Sequence, residues 1–148
     1  MKRSGSVKTV MIEIKKINLK RNQDDRGILD QIYDSNLPAE VKRIYAVYNF
    51  SKETIRGFHK NLNEWKYFYV LIGSVKFVLI ENGNKIQEFI LSDKVPEILI
   101  IPPNVWNGFK ALEDNTLVLG LSSATLLEHR DERMPIGSYK RYFEVKSR

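Results

Sequence analysis

The chain contains no cysteine. It can build neither a disulfide framework nor a thiolate metal site, and this composition suits a reducing cytoplasm. Histidine is nearly as scarce, with only His59 and His129. No apolar run approaches the ~20 residues that a membrane helix needs, and residues 1–16 are charged and lack a long apolar stretch. Neither a membrane span nor a secretory signal is expected. There is no glycine-rich phosphate loop and no Gly-x-Ser-x-Gly elbow, which argues against an NTPase, a dinucleotide enzyme or a serine hydrolase.

What is present fits one domain over residues 1–148, with the first ten residues and the last few expected to be mobile. Hydrophobic residues make up 43% of the chain and aromatics 11%, enough to bury a core. The net charge is +6, from 24 basic and 18 acidic residues. The basic residues are dispersed and no aromatic RNA-reading pattern accompanies them, so nucleic acid is not the expected partner. A phosphate-bearing small molecule fits the charge as well.

The period is two almost throughout. In residues 41–49, Val41, Arg43, Tyr45, Val47 and Asn49 oppose Lys42, Ile44, Ala46 and Tyr48. In residues 74–81, Val75, Phe77 and Leu79 oppose Lys76, Val78 and Ile80. Short β-branched and aromatic runs continue at 66–72, 86–91, 98–101, 105–109 and 117–121, bounded by Gly, Asn, Asp and Pro. Asn82-Gly83-Asn84 is a hairpin signal, because both residue types tolerate positive φ. Many short strands without long helical patterns predict an all-β sandwich or barrel. Residues 124–133 are the best candidate for a short helix or an irregular arm.

Chemistry gathers around Arg56-Gly57-Phe58-His59 and Lys66. An imidazole accepts a proton near neutral pH, Arg56 offers a fork for phosphate or carboxylate, and Gly57 allows close backbone approach. A lysine at the mouth of an apolar strand can stabilise an enolate oxygen. Metal-binding cupins carry His-x-His, a Glu and a later His. Here those places read His59, Asn61, Glu64 and Asn107, so one imidazole remains and no metal is expected. His129 lies in the charge run Glu128-His129-Arg130-Asp131-Glu132-Arg133, which reads as a solvated face and receives no catalytic role.

On these residues the chain resembles the nucleotide-sugar cupins: the dTDP-4-dehydrorhamnose 3,5-epimerase family and the sugar 3,4-ketoisomerases. The likeness spans residues 25–135. Asp25-Arg26-Gly27 resembles the epimerases' Asp-x-Arg-Gly, whose arginine contacts the nucleotide diphosphate. Arg56 to His59 is similar to their Arg-Gly-Leu-His, and Lys66 precedes Gly73 by seven residues as their active-site lysine does. Ile101-Pro102 to Gly108-Phe109 is similar to their Ile-Pro-x-Gly-x-Ala-His-Gly-Phe. The ketoisomerases' Arg-Gly-x-His-Ala-His and Pro-x-x-Trp-His resemble Arg56 to Asn61 and Pro103 to Asn107. An epimerase-related branch is closer still, with Glu64-Trp65-Lys66-Tyr67, Asn107-Gly108-Phe109 and Ser122-Ser123-Ala124-Thr125-Leu126.

The resemblance implies a cupin jelly roll, a double-stranded β-helix with few short helices, no cofactor, a nucleotide-sugar substrate and a homodimer. It implies His59 and Lys66 as catalytic residues. Arg26, Arg56, Asn61, Glu64, Tyr67, Tyr69, Trp106 and Asn107 are the implied substrate contacts, with Asn107 assisting Lys66 on the enolate. The epimerases' acid tyrosine falls near Gly120, and no tyrosine lies between Tyr69 and Tyr139. The proton donor is therefore open, with water, Tyr67 or Tyr69 as candidates. Three functions follow, in this order: epimerase on a dTDP-4-keto-6-deoxy sugar, 3,4-ketoisomerase, and a sugar-nucleotide-binding cupin without activity.

Overall fold

Two antiparallel sheets face each other across the main apolar core. A computed structural model describes residues 13–81 and 85–144. The Asn82-Gly83-Asn84 turn and both ends expected to be mobile lie outside the described residues. The strands are β1 (Lys15–Asn18), β2 (Arg21–Asp24), β3 (Gly27–Asp30), β4 (Arg43–Asn49), β5 (Ile55–Asn61), β6 (Lys66–Ile72), β7 (Ser74–Ile80), β8 (Ile86–Ser92), β9 (Glu97–Ile101), β10 (Trp106–Ala111), β11 (Thr116–Ser122) and β12 (Asp131–Arg133). One sheet has the order β1-β9-β6-β11-β4 and the other β12-β5-β10-β7-β8, with β2-β3 as a separate hairpin. Sequence periodicity and architecture agree: this is an all-β cupin jelly roll.

Alternation along each strand decides what faces what. Phe68 and Val70 of β6 point between the sheets, where they meet Val75, Phe77 and Leu79 of β7, Leu99 and Ile101 of β9, Phe109 of β10 and Val118 of β11. The Phe68–Phe77 and Phe77–Phe109 ring centroids lie 5.0 and 5.1 Å apart, contacts worth about 0.5–1.5 kcal/mol beyond burial. Tyr67 and Tyr69 point to the opposite side of β6, into a second cluster with Ile98, Ile100 and Leu121. β7 and β8 pair in register from Ser74↔Ser92 to Ile80↔Ile86, as the hairpin signal between them implies.

The arm after β11 is not helical. Residues 123–130 turn back, and β12 adds to β5 with Asp131 opposite Asn61 and Arg133 opposite His59. Helix is confined to two short 3-10 segments, Ile136–Ser138 and Lys140–Phe143. Tyr139 and Phe143 cover the outer face of the β5 sheet, packing on Phe58 and Val78. No helix among the described residues is long and apolar enough to cross a membrane.

Candidate functional site

A bulge in β5 is what brings the site together. Asn107 of β10 pairs with His59, but Phe109, two residues on, pairs with Arg56, three residues back. Two residues of β10 therefore oppose three of β5, which rotates Arg56 and His59 onto the same face. Gly57 takes the required backbone, with φ of 124°. A Cβ there would lie 2.8 Å from Gly108 Cα and 3.0 Å from the Asn107 carbonyl oxygen, so no larger residue fits without displacing backbone.

The face so formed borders a cavity of about 770 Å³ at the open end between the sheets, lined among others by Arg56, His59, Asn61, Lys66 and Asn107. That is a size suited to a small-molecule ligand. The first sheet supplies Lys66 and Tyr45. Lys66 Nζ donates to the Tyr45 hydroxyl at 3.2 Å and lies 3.5 Å from Glu64 Oε2. Tyr45 reaches the lysine by lying across Gly120, its register partner on β11. A Cβ on Gly120 would sit 2.3 Å from Tyr45 Cζ. The space near Gly120, where the related epimerases place a tyrosine, is thus filled by a tyrosine from the neighbouring strand.

Glu64 lies behind the cavity wall and is fully buried. Ser122 Oγ donates to its Oε2, Arg43 reaches the same oxygen at 3.3 Å, and Oε1 pairs with His129 Nδ1. Burial pushes this carboxyl up, but the Ser122 hydrogen bond, the Lys66 charge and His129 outweigh it and hold it below the usual carboxylate value. Glu64 is an organiser of cations rather than the substrate contact expected of it.

Burial lowers His59 from its ordinary value of 6.5, against the pull of Asp131 and with help from Lys66, Arg133 and His129. Burial likewise lowers Lys66, outweighing the attraction of Glu64. Tyr45 is pushed well above the ordinary phenol value by burial, opposed by Arg43 and reinforced by Glu64.

Several expected contacts stand elsewhere. Arg26 is exposed on the β2–β3 hairpin, paired with Asp24 at 2.6 Å, and does not line the cavity. Tyr67 is held by Ala39, accepting from its amide at 2.9 Å and donating to its carbonyl at 3.0 Å. Tyr69 pairs with Asp30. Both tyrosines face away because they alternate with Lys66, which excludes them as proton donors in the cavity. Trp106 alternates with Asn107 and lies on the outer face, parallel to Phe58 at 6.1 Å with Lys60 Nζ 5.4 Å from its ring centre. Asn107 does line the cavity, but its amide nitrogen donates to the carbonyls of His59 and Val105, each at 3.1 Å. It ties β5 in place and has no amide proton left for an enolate.

His129 is the main correction. It is not on a solvated face: it lines the cavity and is held by buried Glu64. Asp131 and Arg133 line the cavity too, because β12 sets them opposite Asn61 and His59. The sequence does carry a signal for this. Glu64 shares a side with Lys66, and a carboxylate facing inward needs more than one polar partner.

Two stacked antiparallel sheets with a cavity at one open end, lined by charged and apolar side chains alike, define a cupin. The chain belongs to the FdtA family, described as WxcM-like, C-terminal, whose model matches residues 8–146. It is 31% identical over 132 residues to the TDP-4-oxo-6-deoxy-alpha-D-glucose-3,4-oxoisomerase of Aneurinibacillus thermoaerophilus, covering 88% of this chain and 91% of that one. Among solved structures, it resembles dTDP-4-dehydrorhamnose 3,5-epimerase from Bacillus anthracis with a TM-score of 0.74 at 20% identity, covering 86% of this chain and 82% of that one. A sugar 3,4-ketoisomerase from Thermoanaerobacterium thermosaccharolyticum in complex with TDP gives 0.73 at 24% identity, covering 90% and 99%. At those identities the two structures speak for the fold alone.

Proposed function

We propose that this protein is an isomerase of a TDP-linked 4-keto-6-deoxy sugar, and specifically a 3,4-ketoisomerase. The observation that carries the reading is one cavity holding His59 on one sheet and the Lys66–Tyr45 pair on the other. The 31% identical oxoisomerase supports the choice of substrate class. This reverses the order expected from sequence, which set epimerase first.

The chemistry supports the reversal. A ketone at C4 acidifies the C3 hydrogen. His59, neutral at physiological pH, removes that proton as general base. The electron pair forms the C3=C4 bond and charge moves to O4, where Lys66 and the Tyr45 hydroxyl meet it. Tyr45 already accepts from Lys66, so its own proton is free to point at the oxygen. Reprotonation at C4 by the same imidazole, with loss of the O3 proton, leaves the ketone at C3. One carbon base on one face is enough for this shift. Epimerisation at one carbon needs a second group to return the proton to the opposite face; Tyr67 and Tyr69 point elsewhere, and Tyr45 is engaged with Lys66 at the enolate oxygen.

Arg56 would face the sugar or the phosphates. It is held at the rim by Asn49 Oδ1 at 2.7 Å and the Tyr48 carbonyl at 3.0 Å. The homodimer and the cytoplasmic setting implied earlier remain part of the proposal. The test is to incubate the protein with TDP-4-keto-6-deoxyglucose in deuterated water and follow the sugar by NMR. A 3-keto product with deuterium at C4 is expected. An inverted 4-keto sugar would make the protein an epimerase. Binding by calorimetry without exchange or product would make it a non-catalytic cupin.

A further inference from the structure

The isomerase reading, on which this inference rests, leaves one imidazole in the cavity without a task. His129 comes from the turn between β11 and β12 and lines the same cavity as His59 and Lys66. We propose that His129, oriented by Glu64, carries the hydroxyl proton from one sugar oxygen to the other during the carbonyl shift.

The division of labour on Glu64 is the first argument. Its Oε2 is shared by Ser122, Arg43 and Lys66, while Oε1 serves His129. A fully buried carboxylate against Nδ1 fixes the proton there and leaves the lone pair on Nε2, the arrangement by which a carboxylate orients a proton-transferring imidazole. The state of Nε2 is the second argument. Asp131 Oδ2 lies 3.6 Å from it, too far for a good hydrogen bond to occupy it. Position is the third. The backbone amide of His129 donates to the Thr125 carbonyl at 3.0 Å, so the ring stands on a closed turn and not on a free arm.

The step balances without any co-reactant. The C3–H bond breaks, its proton goes to His59, and its electrons form C3=C4 while the carbonyl pair moves to O4. His129 Nε2 then takes the proton from O3–H as the C3 carbonyl forms, and the double-bond pair takes the His59 proton at C4. The proton on Nε2 passes to O4. C3 has lost a hydrogen and C4 gained one, with the His59 proton exchanging with solvent between removal and return, and one proton has moved from O3 to O4.

The consequence is a split between two measurements. Without His129, His59 can still remove and return the C3 proton, but the oxygen proton has no carrier. In the full chain, His129→Gln should still exchange deuterium into C3 of TDP-4-keto-6-deoxyglucose, while 3-keto product formation falls on the order of 100-fold. His129→Ala should lose product formation similarly and regain part of it when imidazole is added. Circular dichroism and thermal melting establish that the variants are folded. A folded His129→Gln that loses exchange and product together, or keeps both, overturns the assignment, as does failure of both variants to fold, which would make the ring structural. Wild type that neither exchanges nor isomerises overturns the isomerase reading itself, whereas an active wild type with an indifferent His129→Gln overturns only the role of His129.

Discussion

Burial governs the groups that would meet the substrate first. A buried imidazole resists taking a proton, so His59 stays a free base at lower pH than an ordinary histidine. The sign follows from which state binds protons. As pH falls through about 6.5 the unfolded chain protonates His59 first, so this group takes away stability from there down to its lowered folded value. Exchange at C3, which needs only His59, follows the same order: its acid limb should lie below 6.5, and an exchange profile with that limb at or above 6.5 would rule out His59 as the base. His59→Asn should reduce deuterium exchange at C3 by about 10²–10⁴-fold. His59 and Lys66 were legible in the sequence because a short motif and a fixed spacing carry them. His129 was not, since a charge run looks the same whether it is solvated or folded back onto a buried carboxylate.

Period-two alternation made most of the strands readable, and it also held information about the site. If Lys66 faces the cavity, neither Tyr67 nor Tyr69 can help it, because an odd step along a strand turns to the other side. The β5 bulge breaks that rule for Arg56 and His59, and nothing in Arg56-Gly57-Phe58-His59 beyond the glycine announces it. Strand neighbours were harder to read than strands. That β4 lies beside β11 is what puts Tyr45 over Gly120, and this pairing joins residues 75 positions apart in the chain. A direct consequence concerns Gly120→Ala. The methyl group would meet the Tyr45 ring at 2.3 Å, so the ring must leave Lys66 or the strands must part. Overpacking of this kind costs about 1–3 kcal/mol. Product formation should fall more than stability, and adding Tyr45→Phe should lower it little further, because the hydroxyl is already displaced. Full activity in the Gly120→Ala variant, measured by the same NMR assay, would show that Tyr45 does not act from this position.

At the scale of the whole molecule the surface is uneven. β4 is an edge strand of its sheet, and its outward residues Ile44 and Tyr48, with Phe50 just beyond, are 64%, 62% and 85% exposed. The β2–β3 hairpin exposes Ile28 and Leu29 to about the same degree, 55% and 54%. Natural sheets rarely leave an edge both unpaired and apolar, since such an edge recruits other strands. Composition could not reveal this: the same isoleucines and aromatics that signal a core also make the exposed patch, and only the fold separates the two. The homodimer proposed above would give the edge a partner, a second copy of this chain. Light scattering should then give twice the chain mass of 17.3 kDa. Replacing Tyr48 and Phe50 together by aspartate places two charges on the patch and should leave a folded species of single mass, because both side chains are solvent-facing in one copy and contribute little to its own core. A wild-type protein that remains at single mass at micromolar concentration would mean that the edge stays open in solution and that the family likeness does not extend to its assembly.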